Sequence, residues 1–310
     1  MQERGENESV FQNSEHSIMT GFLYRLIILL SGRFGLWIFH IYAWIVAAGF
    51  FFLFPARAAS GVRFYRALYP NRTGFFHIIC TWRQYQHFTT VFLDRYLLQA
   101  GCRISWTCEG WQYLENVLQH GSGGILLMSH MGNWEVAAHL LRQKNMPLLL
   151  FMGKKHKEQI ERMQKESLAR SGVRILAVDE NSDSPFALVE GLGFLRSGGL
   201  VSMTGDVLWH ESQRYVTARF LNHEIRVPET PHMLALVSGA PIFIFFAFRT
   251  GHCSYHFSVT EPLYVRAASR EKRKDAVIRS AQHYATILEK SLREHPVQWY
   301  HFRPFLRKPE

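Results

Sequence analysis

From Gly123 onward, short apolar runs alternate with amphipathic segments, and this alternation constrains the fold more than any other feature of the chain. The apolar runs are GILLMS, PLLLFM, VRILAV and LVSMTG, and the segments between them include VAAHLLRQ, KEQIERMQKESLARSG and SPFALVEGLGFLRSG. Apolar strands separated by amphipathic helices are typical of a parallel sheet that is covered on both faces. We therefore predict an α/β domain over residues 105–310, with a mostly parallel central sheet flanked by helices.

Two later segments and one helical pattern extend this prediction. APIFIFFAFRT and CSYHFSVTEPLYV have the composition of strands, and their alternation is typical of a hairpin. Residues 269–294 place apolar side chains at helical spacing, which predicts a final amphipathic helix.

The first third of the chain has a different character. Residues 1–20 are mostly polar, and we predict that they are disordered. Residues 21–104 are predicted to form a helical, membrane-associated region. Within it, residues 35–54 (GLWIFHIYAWIVAAGFFFLF) form a 20-residue stretch without Asp, Glu, Lys or Arg. At roughly 1.5 Å per residue such a helix is long enough to span a bilayer core, and it is equally suited to lie in the interface. A buried helix of a soluble protein is the alternative.

Charge is distributed unevenly along the chain. The formal net charge is +10, and the interval between Glu15 and Asp94 contains seven arginines and no acidic residue. These arginines are interleaved with apolar and aromatic residues, a pattern that suits an anionic membrane surface. A solvated basic face is the alternative. The basic balance also suits an acidic protein partner, whereas nothing in the pattern favours nucleic acid.

Metal and cofactor motifs are not evident. The four cysteines form no CxxC pair, and the 16 histidines are scattered. We therefore expect free thiols in a reducing compartment and no metal site. No Gly-rich nucleotide loop is present, so no bound cofactor is predicted.

The stretch LLMSHMGNWE, residues 126–135, is the main candidate for a reaction centre. We predict that the strand ends near Ser129 and that Asn133 caps the helix that follows. His130 then lies at the carboxyl edge of the sheet, where open α/β sheets bind ligands. If Glu135 folds back onto His130, it accepts from Nδ1–H and leaves Nε2 as a general base. A polar turn in which Glu135 favours the helix dipole is the alternative.

These residues also carry a family resemblance. The HX4E spacing in SHMGNWE resembles the HX4(D/E) motif of the glycerolipid and lysophospholipid acyltransferase superfamily, and HxGNWE resembles its lipid A biosynthesis (lauroyl/myristoyl) branch. Three further blocks are similar to that branch in the same order, and the resemblance covers about residues 20–305. They are GGLVSMTGD, ARFLNHEIRVPETPHMLALVSGAPIFIFFAFR and HPVQWYHFRPF.

The resemblance implies a reaction and a place for it. A fatty acyl group would move from a thioester, on acyl carrier protein or coenzyme A as co-substrate, to a hydroxyl of a lipid or glycolipid acceptor. His130 would be the general base and Glu135 the residue that orients it. Backbone amides near Gly132 and Asn133, or a nearby cation, would stabilise the oxyanion. The expected location is the cytoplasmic face of a bacterial inner membrane.

Other positions are candidates for substrate binding. Asp206 is predicted to end a buried strand at the same edge as His130, with a turn or capping role as the alternative. Arg219 would meet a phosphate or lie on the surface, and Glu229 would bind the acceptor or merely begin a helix. Lys154 lies in MGKKHK, where the family often has Arg-Pro, and would bind an anion there or begin a solvated helix.

The sequence also departs from the family pattern. Val207 follows Asp206 where Gln is common, and Asn222 stands where Gly is common. These departures concern the acceptor more than the reaction. A non-catalytic lipid-binding membrane protein on the same fold and a lipid hydrolase are the alternative functions.

Overall fold

The computed structural model describes residues 26–27, 29–99, 101–153, 173–178, 185–210 and 212–307. Its helices are α1 (Trp37–Leu53), α2 (Pro55–Leu68), α3 (Gly74–Gln99), α4 (Trp111–Gln119), α5 (Trp134–Gln143), α6 (Pro185–Arg196), α7 (Thr230–Ser238) and α8 (Arg273–Glu294). Its strands are β1 (Ser105–Glu109), β2 (Gly124–Gly132), β3 (Leu148–Gly153), β4 (Arg174–Val178), β5 (Leu200–Thr204), β6 (Tyr215–Phe220), β7 (His223–Pro228), β8 (Ile242–Gly251) and β9 (Ser254–Val259).

A seven-stranded sheet with the order β1-β9-β8-β2-β5-β3-β4 forms the centre of the α/β region. Strand β2 runs parallel to both of its neighbours, β5 and β8, and only the β8–β9 pair is antiparallel. The predicted α/β fold with a mostly parallel sheet is confirmed, and so is the hairpin of the two late strands. Because β2 is central and nearly every residue in it is buried, its apolar run is explained by helices covering both faces.

A second, two-stranded sheet is formed by β6 and β7, which pair antiparallel. Burial alternates strictly along β6, so Val216, Ala218 and Phe220 face the core while Arg219 faces outward. Helix α8 packs on this hairpin, and Gln282 bonds both backbone groups of Arg219 (2.8 and 3.0 Å). The hairpin therefore covers the core beside the main sheet.

The N-terminal helices form a layer in which α2 also packs into the main core. Helix α1 buries Phe39, Ala43 and Ala47 and leaves a large apolar surface exposed. The exposed side chains of α1 include Trp37, Ile41, Trp44, Ile45, Phe50, Phe52 and Leu53. Among the described residues, no single helix has both the length and the apolar composition needed to cross a bilayer. Helices α1 and α2 meet that criterion only as a pair, and they are bent by 91°. The membrane association of this region thus stays a prediction.

Two of the four cysteines differ from expectation. Cys102 and Cys253 form a disulfide, whereas Cys80 and Cys108 are free. The chain that leaves α3 runs beside the β8–β9 turn, where Ser105 N donates to the carbonyl of Cys253 (2.9 Å). This contact joins segments about 150 residues apart, which is why the spacing of the cysteines did not reveal the pair.

Candidate active site

Strand β2 continues to Gly132, three residues beyond the predicted end near Ser129. Its register with β8 shifts between Met128 and Gly132, so residues 129–131 are released from that neighbour. Gly132 has φ of +75°, and a Cβ at this position would overlap the carbonyl of Ala247. Only glycine fits such a close approach at positive φ. The predicted cap is confirmed, since Asn133 Oδ1 accepts from the amides of Glu135 (3.2 Å) and Val136 (3.4 Å).

His130 lies in this released stretch, and its partner is Asp206, which follows β5. The Nδ1 atom of His130 is 2.9 Å from Asp206 Oδ1, and the backbone amide of His130 donates to Oδ2 (2.8 Å). A carboxylate accepts hydrogen bonds, so Nδ1 carries the proton and Nε2 carries the lone pair. The His130 side chain is 43% exposed, whereas that of Asp206 is fully buried. The expectation that Asp206 lies at the same edge as His130 is confirmed.

A third donor completes the surroundings of Asp206. The indole Nε1–H of Trp299 donates to Oδ2 (2.8 Å). Burial by itself raises the pKa of Asp206, whereas the charge of protonated His130 and its hydrogen bond lower it. Smaller contributions from His301 and Trp299 act in the same direction, so the pKa of Asp206 lies below its usual value. Asp206 is therefore a carboxylate at neutral pH, although it is buried.

Glu135 has a different partner from the one expected. Both of its carboxylate oxygens accept from Arg95 on α3, with Nε at 2.9 and 3.2 Å and Nη2 at 2.7 Å. Both side chains are buried. The hydrogen bond to His130 Nδ1 that we predicted for Glu135 is thus made by Asp206. One reason is that β2 continues through His130, so this residue lies in the strand and not in the predicted loop. The other reason is that α3 supplies the guanidinium of Arg95 to Glu135.

The backbone amides expected to bind an oxyanion already donate to carbonyls within the protein. The amide of Gly132 donates to Gln298 O (2.7 Å) and that of Asn133 to Ala247 O (2.9 Å). The Asn133 side chain is buried, and its Nδ2 donates to the hydroxyl of Tyr255 (3.2 Å). An oxyanion would have to displace these bonds, so the substrate-binding role predicted for Asn133 is replaced by a structural one.

Three further predicted site residues lie apart from β2 or outside the described residues. Arg219 projects from β6 into a cleft of about 410 Å³ between the hairpin and α8, which Lys290 and Arg293 also line. Glu229 directly precedes α7, and its amide donates to Arg214 O (3.1 Å). Glu229 makes no capping bond with its side chain. Lys154 falls outside the described residues. The substrate-binding roles of Arg219, Glu229 and Lys154 stay predictions.

The C-terminal segment contributes residues that were not among the predicted site residues. The Trp299 ring lies against that of His301 (centroids 5.0 Å apart), and the His301 ring meets that of His130 edge-on at 6.4 Å. Burial lowers the pKa of His301 to about 4, so this imidazole is neutral at physiological pH. The run Trp299-Tyr300-His301-Phe302 was the available signal, since it places an indole N–H, a phenol and an imidazole together within an apolar segment.

Buried charges on α3 form the other contribution that was missed. Asp94 accepts from Arg249 Nε (2.8 Å) and from the hydroxyl of Tyr255, the same hydroxyl that accepts from Asn133. Asp94 and Arg95 interrupt the apolar run TTVFLDRYLLQ, which was a signal that two charges are buried together. Helix α3 therefore contacts Glu135 directly through Arg95 and Asn133 indirectly through Asp94 and Tyr255.

Among the described residues, no cluster of three or more His, Cys, Asp or Glu side chains is arranged to hold a metal ion. The residues near His130 include a carboxylate, an indole and a second imidazole. Of these contacts, the carboxylate–imidazole pair is suited to proton transfer.

Comparison with known proteins places this site in a family. No curated protein is significantly similar to the chain. The model of the bacterial lipid A biosynthesis acyltransferase family matches residues 88–308, which is more than two thirds of the chain. The match includes the charged pair of α3, the turn after β2, Asp206 and Trp299. The chain therefore belongs to the bacterial lipid A biosynthesis acyltransferase family, whose members transfer acyl groups to lipids.

Proposed function

We propose that this protein transfers a fatty acyl chain from a thioester to a hydroxyl of a lipid or glycolipid, with His130 as the general base. The donor is an acyl group on acyl carrier protein or coenzyme A. The observation that carries the proposal is the His130–Asp206 pair, in which a buried carboxylate holds Nδ1–H while the imidazole remains partly exposed. This arrangement fixes the tautomer whose Nε2 accepts a proton.

The reaction follows from that tautomer. Nε2 of His130 takes the proton of the acceptor hydroxyl as its oxygen attacks the thioester carbonyl, so no nucleophilic serine is required. Collapse of the tetrahedral intermediate breaks the C–S bond, and the imidazolium returns the proton to the leaving sulfur. The carboxylate of Asp206 stabilises the imidazolium in between, because it lies within 2.9 Å of the ring and is fully buried.

Glu135 has a positioning role in this proposal. Its carboxylate holds Arg95, so the first turn of α5 is fixed to α3 immediately after the strand that carries His130. The motif residue therefore acts on the geometry of the turn and not on the protonation of the imidazole.

We further propose that the protein works at the cytoplasmic face of a bacterial inner membrane. The support is a contrast between two adjoining helices. Helix α1 exposes large apolar side chains, whereas α2 exposes Arg57, Arg63 and Arg66. Apolar side chains suit the acyl region of a bilayer and arginines suit its phosphates, so this layer is suited to hold the site at a lipid surface.

The first prediction concerns His130 itself. H130A is expected to lower acyl transfer by about 10²- to 10⁴-fold, because a positioned general base contributes that much. The assay follows a radiolabelled acyl thioester into lipid extracted from bacterial membranes, with H252A as the matched control because His252 is exposed on the β8–β9 turn.

The same assay separates the alternatives. Transfer by H130A at the native rate would overturn the proposal and favour a lipid-binding protein without catalysis. Release of free fatty acid by the native protein at the same rate with and without added lipid would favour a hydrolase. Mass spectrometry of the labelled product identifies the acceptor.

A further inference from the structure

Trp299 stands out among the residues around His130 because its only polar side-chain atom points at Asp206. Asp206 Oδ2 receives both the His130 amide and the Trp299 indole N–H, each at 2.8 Å, while Oδ1 faces His130 Nδ1. Trp299 is 1% exposed, so this donor is shielded from bulk solvent. An indole N–H does not titrate in the range of protein function, so Trp299 holds the carboxylate without exchanging protons with it.

The backbone around Trp299 is held by the same turn that carries His130. Gly132 N donates to Gln298 O (2.7 Å) and Tyr300 N donates to His130 O (2.8 Å), so the segment 298–300 fills the place that β8 leaves beside β2. The Gln298 side chain also bonds both backbone groups of Arg249 (2.9 and 3.0 Å). Residues 298–300 are therefore hydrogen-bonded to both β2 and β8.

The indole ring is fixed as firmly as its backbone. It contacts the rings of Phe64, Phe305 and His301, each with centroids 5.0 Å apart, and that of Phe220 at 5.8 Å. Gln84 of α3 donates its Nε2–H to the carbonyl of Trp299. These contacts fix the orientation of the indole ring, so its N–H points toward Asp206.

We propose that Trp299 is a positioning residue for the acyl transfer, which orients Asp206 and limits how strongly that carboxylate attracts the proton of His130. This proposal rests on the proposed function of His130. By sharing the negative charge of Oδ2, the indole keeps the His130 imidazolium acidic enough to return its proton to the leaving sulfur.

The test replaces Trp299 by Phe, which keeps most of the ring and removes the donor. The matched control is W111F, since Trp111 Nε1 also donates to a carboxylate, that of Glu115 (2.8 Å), but on the exposed face of α4. Full-length protein labelled with ¹³Cε1-histidine is titrated by NMR, and H130A identifies the His130 signal. In W299F the midpoint of His130 is expected to rise by about 0.5 to 1 pH unit, because a charge-assisted hydrogen bond is removed from its partner.

Kinetics provide the second readout. In W299F kcat for acyl transfer is expected to fall about tenfold or more, with KM for the acyl thioester unchanged and the acid limb of the pH profile displaced upward. W111F is expected to leave all three values unchanged. A role in packing alone would lower the folded fraction without moving the NMR midpoint of His130 or the acid limb of the pH profile. An unchanged His130 midpoint in folded W299F would therefore overturn the proposal. Native transfer by H130A would instead overturn the proposed function, while the titration still decides the role of Trp299.

If circular dichroism shows that W299F is unfolded, the native ring supplies the measurement. D206N is expected to move one indole N–H resonance, that of Trp299, because its acceptor is altered. In the native protein that resonance is expected to follow the titration of His130. Indole signals that do not respond to D206N would overturn the proposal.

Discussion

At the scale of single residues, two buried carboxylates have separate roles: Asp206 makes the bond to His130 that was predicted for Glu135, and Glu135 fixes the turn after β2. Asp206 accepts three hydrogen bonds, and two of them come from His130. Glu135 accepts three from Arg95. A carboxylate that is bound to a guanidinium is a poor partner for an imidazole, because its lone pairs and its charge are already engaged. The chemistry of the motif therefore depends on which cation each carboxylate meets.

This division predicts a strong coupling between Arg95 and Glu135 in stability. R95M and E135M are each expected to destabilise the protein by roughly 3 kcal/mol, because each removes one partner of a buried, charge-assisted contact. The double variant removes both charges together and is expected to cost less than the sum of the single changes. Thermal unfolding of the native protein and the three variants measures the coupling.

The surface pair Arg174–Glu190 (2.9 Å) is the matched comparison, with both side chains at least 36% exposed. Its coupling in the same cycle is expected to stay below about 1 kcal/mol. Additive costs for R95M and E135M would contradict the assignment of Glu135 to a structural ion pair.

How much of the site could be predicted depends on sequence distance. The cap by Asn133 and the edge position of Asp206 follow from local patterns and are confirmed, whereas β2 ends three residues later than predicted. The partner of Glu135 lies 40 residues upstream on a helix with no visible link to the motif. Trp299 lies 93 residues beyond Asp206. Such contacts depend on tertiary packing, which periodicity does not encode.

At the scale of elements, the contact between α7 and α8 contains a buried histidine. His232 of α7 is 0% exposed, and its Nδ1 is 2.8 Å from Ser280 Oγ of α8. Burial lowers the pKa of His232 to about 4 from an ordinary value of 6.5. Between these two pH values the unfolded chain binds a proton that the folded chain refuses, so the stability falls as the pH falls.

A variant isolates this contribution. H232N keeps a polar group near Ser280 and removes the titration, so it is expected to flatten the decline of the melting temperature between pH 6.5 and 4. The part removed is roughly 3 kcal/mol at the acid end, since folding lowers the pKa of His232 from 6.5 to about 4. S280A keeps the histidine and is expected to keep the decline. The same slope in H232N and native protein would show that other groups, such as His87 and His301, carry it.

Most strands of the main sheet were predictable for a related reason, whereas the exposed edge strand β1 was not predicted. An apolar run between helical segments identifies a strand wherever the strand is covered on both faces, as β2 and β5 are. The small hairpin β6–β7 was not identified as a separate sheet, although β6 alternates strictly. Its turn residues Leu221 and Asn222 both adopt positive φ, which is uncommon for non-glycine residues and gives no glycine signal.

At the scale of the whole molecule, the N-terminal layer exposes two different surfaces. Helix α1 exposes apolar side chains, helix α2 exposes arginines, and the two helices meet at about a right angle. If this layer meets an anionic bilayer, replacing Arg57, Arg63 and Arg66 of α2 by Glu is expected to abolish binding to vesicles rich in phosphatidylglycerol. Each basic residue near such a surface contributes about 1 kcal/mol, and the replacement also adds repulsion.

Flotation of full-length protein with vesicles measures this binding. The matched control replaces Arg273, Lys274 and Arg279 of α8 by Glu, because these residues are also exposed and the change in net charge is the same. Equal loss of binding in both variants would indicate a response to net charge alone. Undiminished binding of the α2 variant would place the membrane contact elsewhere.

The insertion of residues 298–300 beside β2 has a consequence for the order in which the protein is made. The ribosome completes His130 and Asp206 long before it reaches Trp299, so a partly translated chain has this pair without the third donor to Asp206. The edge of the sheet beside His130 is complete only when this late segment docks. Under the proposed function, acyl transfer reaches its full rate only after α8 and the segment that follows it have left the ribosome and folded.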